Sequence, residues 1–176
     1  MKRAPWFLAL ACLTACGTNP QQPGDDRSWP SLGMWQASTS RGALQTSAQH
    51  EDVKLVVTKV ESEAGVVLYD FNEKGSLSRF KDIFASHRRF PPGNYRVEAN
   101  CVRNTVDITN ADNPNYILKT FRLMINLEPN VIVDLVPSPS VAPYLVNGYA
   151  ALSCQLNPKG LNRVTSEKIA VQFRSE

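Results

Sequence analysis

Histidine is almost missing from this chain: 176 residues hold two, His50 and His87. They lie far apart and no third ligand stands near either. A catalytic zinc centre, which takes three protein ligands, is therefore not expected, and no metal ligand is assigned. No Gly-x-Ser-x-Gly elbow, His-Glu-x-x-His helix or phosphate-binding glycine loop is present, so the common hydrolase and nucleotide signatures are lacking. No cofactor is called for. Charge of one sign is lacking too. Nineteen basic side chains face sixteen acidic ones, which leaves no electrostatic footprint for nucleic acid. Apolar runs are short, and none approaches the roughly 20 residues of a membrane-spanning helix.

What the chain does have stands at its start. Met1-Lys2-Arg3 is a basic opening, Trp6 to Cys12 is a short apolar run, and small residues follow. This is the layout of an export signal. Leu13-Thr14-Ala15-Cys16-Gly17 then resembles the lipobox of bacterial lipoproteins. The resemblance implies that residues 1–15 are removed and that the Cys16 sulfur carries lipid. The anchor is then a covalent one, and two or three acyl chains hold where a single chain is marginal. Gly17 is not the aspartate that commonly retains lipoproteins in the inner membrane, so the resemblance favours the outer membrane. Lys2 and Arg3 leave with the signal and take two positive charges from the formal +3.

With Cys12 removed and Cys16 lipidated, Cys101 and Cys154 remain. Two thiols in an oxidising compartment are expected to form one disulfide. It closes a loop of about 54 residues, worth roughly 4 kcal/mol by chain entropy. A metal pair or redox pair would need a Cys-x-x-Cys spacing that is absent.

Residues 16–50 read as the lipidated cysteine and a flexible tether, rich in Gln, Ser, Thr, Gly and Pro. Trp29, Leu32, Met34 and Trp35 interrupt it, as a patch that docks on the domain or on a partner. Residues 51–176 read as one β domain. Strands are expected over Val53 to Val60, Val66 to Phe71, Tyr95 to Cys101, Tyr116 to Leu127, Val131 to Val136, Gly148 to Leu156 and Ile169 to Phe173. Leu77, Phe80, Ile83 and Phe84 at helical spacing predict a short amphipathic helix over Ser76 to Phe84. Pro137 to Pro143 is expected to be a surface loop, and Asn157-Pro158-Lys159-Gly160 a turn.

The clearest stretch is Phe90-Pro91-Pro92-Gly93-Asn94-Tyr95-Arg96-Val97. Proline fixes φ and glycine permits positive φ, so a tight turn precedes a strand whose Tyr95, Val97, Ala99 and Cys101 share one face. The stretch resembles the opening of small transthyretin-like and immunoglobulin-like sandwiches on bacterial envelope proteins. The resemblance implies a mainly β, antiparallel sandwich of about seven strands with one short helix, and is silent on activity.

Asp107, Asn110, Asp112 and Asn113 gather oxygen ligands on one loop, but not at EF-hand spacing, and turn chemistry accounts for them. Arg88 and Arg89, with Arg79 and Lys81, form a basic cluster read as a solvated face. The function expected is that of a non-enzymatic lipoprotein, anchored to the outer membrane through Cys16 and facing the periplasm. It would act as an adaptor or stabilising subunit of a secretion, pilus or conjugation assembly. The plan of anchor, tether and sandwich is similar to that of the type VI secretion lipoprotein. The alternatives are a small binding or enzyme-inhibitor lipoprotein, with Pro137 to Pro143 as its contact loop, and a surface adhesin.

Overall fold

The computed structural model describes residues 26–38, 53–72, 86–146 and 149–176. Cys16, His50, Arg79, Lys81 and the helix expected over Ser76 to Phe84 lie outside the described residues. Eleven strands are found among the described residues: β1 (Ser31–Gly33), β2 (Trp35–Ala37), β3 (Val53–Ser62), β4 (Val67–Asp70), β5 (His87–Arg89), β6 (Gly93–Arg103), β7 (Ile117–Leu127), β8 (Val131–Val146), β9 (Tyr149–Asn162), β10 (Lys168–Ile169) and β11 (Phe173–Ser175). They form a β-sandwich. One sheet runs β10-β9-β8-β1-β5 and the other β11-β7-β6-β3-β2, with β4 also on β3.

The period-two strand predicted after Pro-Pro-Gly is β6. Tyr95, Val97, Ala99 and Cys101 are buried, and Arg96 is exposed. Gly93 has φ 154°, a value side chains resist. The Tyr95 hydroxyl donates to the Pro91 carbonyl at 2.5 Å, and its ring lies 5.8 Å from that of Phe90. This is the geometry of a tyrosine corner, which pins the turn to the strand. Inward residues of β7 and β8 (Leu123, Ile125, Leu127, Val131, Val133, Leu135) meet those of β3 and β6 to make the core.

Asn100 departs from the alternation. It was expected on the polar face but is 6% exposed. The polar loop after β6 folds over it, so that its Nδ2 donates to the Ala111 carbonyl (3.0 Å) and its Oδ1 accepts from Thr120 Oγ1 (2.8 Å). Burial without these partners would cost free energy.

Three expectations are corrected. Residues 31–37 are not tether: they give β1 to one sheet and β2 to the other. Leu32 is fully buried and Met34 nearly so. The apolar patch docks on its own domain, because two strands supply the hydrogen bonds its backbone needs. The antiparallel sandwich expected is found, with one parallel pair in it: β1 lies along β8, with Ser31 beside Ile132 and Leu32 beside Val133. The expected last strand, Ile169 to Phe173, is two short strands, one in each sheet.

The third correction concerns proline. Pro137 to Pro143 is not a loop and Asn157 to Gly160 is not a turn: both lie within the long β8–β9 hairpin. Pro137 pairs with Leu156, Pro139 with Cys154, and Pro158 with Leu135. These are alternate pairs of one antiparallel ladder. In every second pair the backbone groups point away from the partner strand. All three prolines occupy that set, so none removes a ladder bond, and the missing donors face the strands' outer edges. Gly160 is in the strand because β10 comes close: a Cβ there would sit 3.0 Å from the Ile169 carbonyl oxygen.

Candidate functional site

The far half of the β8–β9 hairpin extends past the strands that flank it in its sheet. On its β8 side, β1 pairs only with Ile132 and Val133. On its β9 side, β10 pairs only with Leu161 and Gly160. Beyond those residues no third strand pairs with the hairpin among the described residues. The ladder nevertheless continues through Val141↔Leu152 to Val146↔Tyr149. Between Asp134 and Lys159 the sequence contains no charged residue. This arm is a two-stranded ribbon without charge, rich in Val, Leu, Ala, Tyr and Pro.

A disulfide braces the arm. Cys154 of β9 is bonded to Cys101 of β6, with Cα atoms 6.5 Å apart, and so ties one sheet to the other. Both residues are buried. The Lys119 ammonium donates to the Cys154 carbonyl (3.4 Å) while lying 4.8 Å from the Phe121 ring centroid. A lysine is thus placed on the outer edge of β9, as the prolines are on β8.

At the arm's root a polar strap crosses β1. His87 Nε2 lies 2.8 Å from Asp134 Oδ1, and the same oxygen accepts from Gln36 Nε2 at 2.9 Å. His87 Nδ1 lies 3.0 Å from Ser86 Oγ. His87 is on β5 and Asp134 on β8, with β1 between them. They meet because the residue between them is Gly33: a Cβ there would stand 2.8 Å from Asp134 Oδ1. His87 therefore belongs to a sheet, not to a loop edge. Arg88, half-buried, stacks over the Tyr69 ring at 5.2 Å to its centroid, and Arg89 is exposed, so the two neighbours do not form one solvated face. An inward-turned charge and a strand of three residues both blunt the β5 edge.

No family model, curated protein or solved structure matches this chain. Its reading rests on its own residues.

The oxygen-rich loop is turn chemistry. Asp107 Oδ1 accepts from Thr109 N (2.8 Å) and Thr109 Oγ1 (2.7 Å), capping a short 3-10 turn. Those two donors, backbone first, hold its carboxyl below the usual value, helped by the Lys54 charge. Asn113 Oδ1 accepts from Asn115 N at 3.0 Å. Lys54 is pushed down chiefly by burial, with Asp107 opposing. Proline disfavours strand at most positions, which hides the arm in the sequence. The two-residue spacing of Pro137 and Pro139, together with the long uncharged run, was the signal that could have found it.

Proposed function

We propose that this protein is a lipid-anchored, non-enzymatic adaptor of the bacterial envelope, tethered through Cys16 to the outer membrane and engaging a periplasmic protein partner with the β8–β9 arm. One observation carries the reading: the chain enters the sandwich at the end opposite the arm's tip. Ser31 lies beside Ile132, where β8 begins. Just upstream, Ser28 O accepts from Asn130 N at 2.7 Å, and Arg163 Nη2 donates to the carbonyls of Arg27 and Trp29. The tip, at Val146 and Tyr149, lies about 45 Å along β8 at ~3.3 Å per residue. A lipid at the N-terminal end leaves the arm directed away from the anchor, towards a partner elsewhere in the envelope.

Strand addition, one way such a partner could be held, is opposed by the outer edges. Pro137 and Pro139 remove donors from β8, and Pro158 and Lys119 guard β9. The contact is therefore made by the arm's side chains in an uncharged groove of the partner. The test is affinity purification of the full chain from detergent-solubilised envelopes. It is run beside Cys16→Ala and a variant in which Asn-Gly replaces residues 141–152 and joins Ser140 to Ser153, a pair whose backbone groups face each other. A defined partner set that diminishes in Cys16→Ala and is lost with the shortened arm supports the proposal. If the wild-type chain emerges alone, or the shortened chain keeps its partners, the proposal fails. A chain that emerges alone and blocks an added hydrolase is instead an inhibitor.

A further inference from the structure

The end of the sandwich opposite the arm's tip is made of turns. Ser62 pairs with Tyr95, Gly93 with Leu127 and Val131 with Asn162, which gathers the turns that follow β3, β5, β7 and β9 at one place. Two of them present valine to solvent. The β3–β4 turn carries Val66, 56% exposed, and the β9–β10 turn Val164, 74% exposed. Both turns are fixed by hydrogen bonds. Ser62 N donates to the Val66 carbonyl at 2.8 Å, and Ser62 Oγ accepts from Val66 N at 3.1 Å. Asn162 Oδ1 accepts from Val164 N at 2.8 Å and from Thr165 N at 3.2 Å. Valine is not a turn-forming residue, so these turns hold it outward without needing it.

Val67 and Leu161, also exposed, stand beside them at the start of β4 and near the end of β9. Four of the six large apolar side chains exposed among the described residues therefore gather at this end. Singly, such residues need no explanation; a cluster does. Pro91, Pro92 and Pro129, exposed on two further turns, add to the apolar surface.

Chain length decides what covers this end. Nine residues, 17–25, separate Cys16 from the short 3-10 turn Asp26–Ser28 that leads into β1. Even fully extended they reach only about 34 Å, less than the ~45 Å of β8. With lipid on Cys16 the arm has no room to point at the bilayer, and the turn end stays within that reach of it. So short a tether holds the end at about millimolar effective concentration over the surface. A contact too weak to recruit a free protein then suffices. Exposed charge at this end is of both signs, with Arg27 and Arg89 against Asp26, Glu63, Glu128 and Glu167. An excess of carboxylates gains nothing from an anionic surface, whereas zwitterionic headgroups carry both signs themselves.

We propose that the turn end docks on a zwitterionic phospholipid surface, with Val66 and Val164 reaching into its interfacial layer and the arm standing away from it. This rests on the lipid anchor at Cys16 and deepens the adaptor reading, because it fixes the direction of the arm.

The test places the full lipidated chain, methyl-labelled, in phosphatidylcholine nanodiscs that contain a lipid spin-labelled at its headgroup. Mass spectrometry of the N-terminal peptide comes first: an unmodified Cys16 overturns the anchor and the docking together. With lipid in place, the Val67 and Leu161 methyls should broaden, while those of Leu152, ~33 Å along β9 from its end, stay sharp. Val66→Ser combined with Val164→Ser should cut the broadening of Val67 and Leu161 about threefold and leave lipidation and the thermal midpoint unchanged. Equal broadening in the double variant means that the tether alone keeps this end near the surface, which overturns the docking while the anchor stands. Broadening at Leu152 instead lays the arm on the membrane and overturns the orientation. Broadening that grows when phosphatidylglycerol replaces part of the phosphatidylcholine overturns the zwitterionic surface in favour of an anionic one.

Discussion

The two ends of the folded chain do the same job with different strength. Residues 31–37 cross from one sheet to the other, giving β1 and β2, and residues 168–175 do likewise, giving β10 and β11. They sit at opposite margins of the sandwich: β2 and β11 are the two ends of one sheet, and β1 and β10 lie towards the two ends of the other. The N-terminal crossing is buried. Leu32 and Met34 reach the core, and β1 is hydrogen-bonded on both sides by β8 and β5. The C-terminal crossing is shallow. All three residues of β11 are exposed, and β10 is two residues long. On that shallow side the Cys101–Cys154 bond joins the sheets. A covalent link there stands in for apolar burial that the last residues do not provide.

That comparison can be broken at several points. Reducing the disulfide, or replacing both cysteines by alanine, should have the largest effect, about 4 kcal/mol on the chain-entropy estimate. Chemical denaturation with and without reductant measures it, and a loss below about 1 kcal/mol would show that the C-terminal side is held by something else. Leu32→Ala should follow at about 3 kcal/mol, the usual cost of truncating a buried leucine. If the denaturation midpoint hardly moves, the N-terminal crossing is not part of the cooperative unit. Asn100→Ala leaves the Ala111 carbonyl and the Thr120 hydroxyl without their partner and should cost about 2 kcal/mol. Phe173→Ala, on the shallow side and half exposed, should cost under about 1 kcal/mol. A larger loss than for Leu32→Ala would reverse the ranking of the two ends.

The smallest effect expected is a pH dependence. The folded carboxyl of Asp107 titrates below its ordinary 3.8 because Thr109 donates to it twice. Its contribution is therefore complete above the unfolded value and is lost as pH falls through the lower folded value. Asp107→Asn should lower stability slightly at neutral pH and flatten the acid limb of the stability curve below about pH 4. An unaltered acid limb would mean that the cap has no energetic role.

What could be read beforehand depended on how far each residue's neighbours in sequence were also its neighbours in space. β6 was legible because alternation and a proline-glycine turn are local signals, and the β7–β8 hairpin because Pro129 and Asn130 sit between two apolar runs, with Asn130 at φ 62°. The pairing of Cys101 with Cys154 could be expected once the lipobox resemblance set Cys12 and Cys16 aside. β1 and β2 were not legible. Three residues each, inside a polar segment, they become strands only because β8, β5 and β3 are already there to receive them. The strap at Asp134 was hidden for a related reason, since nothing local says that Gly33 is bare so that His87 can reach across it. The prolines of β8 and β9 misled because their effect depends on which side of a strand faces a partner, and single positions do not carry that.

That same parity limits how the gene can vary. Exchanging one apolar residue for another within the arm leaves Pro137, Pro139 and Pro158 on the outer edge. Inserting or deleting a single residue between Pro137 and Pro139 shifts one part of the ribbon by one place, turns a proline nitrogen inward and removes ladder bonds. The proline-bearing part of the arm should therefore drift in composition while holding its length, and changes of length belong beyond it, where residues 142–144 of β8 already stand against residue 151 of β9.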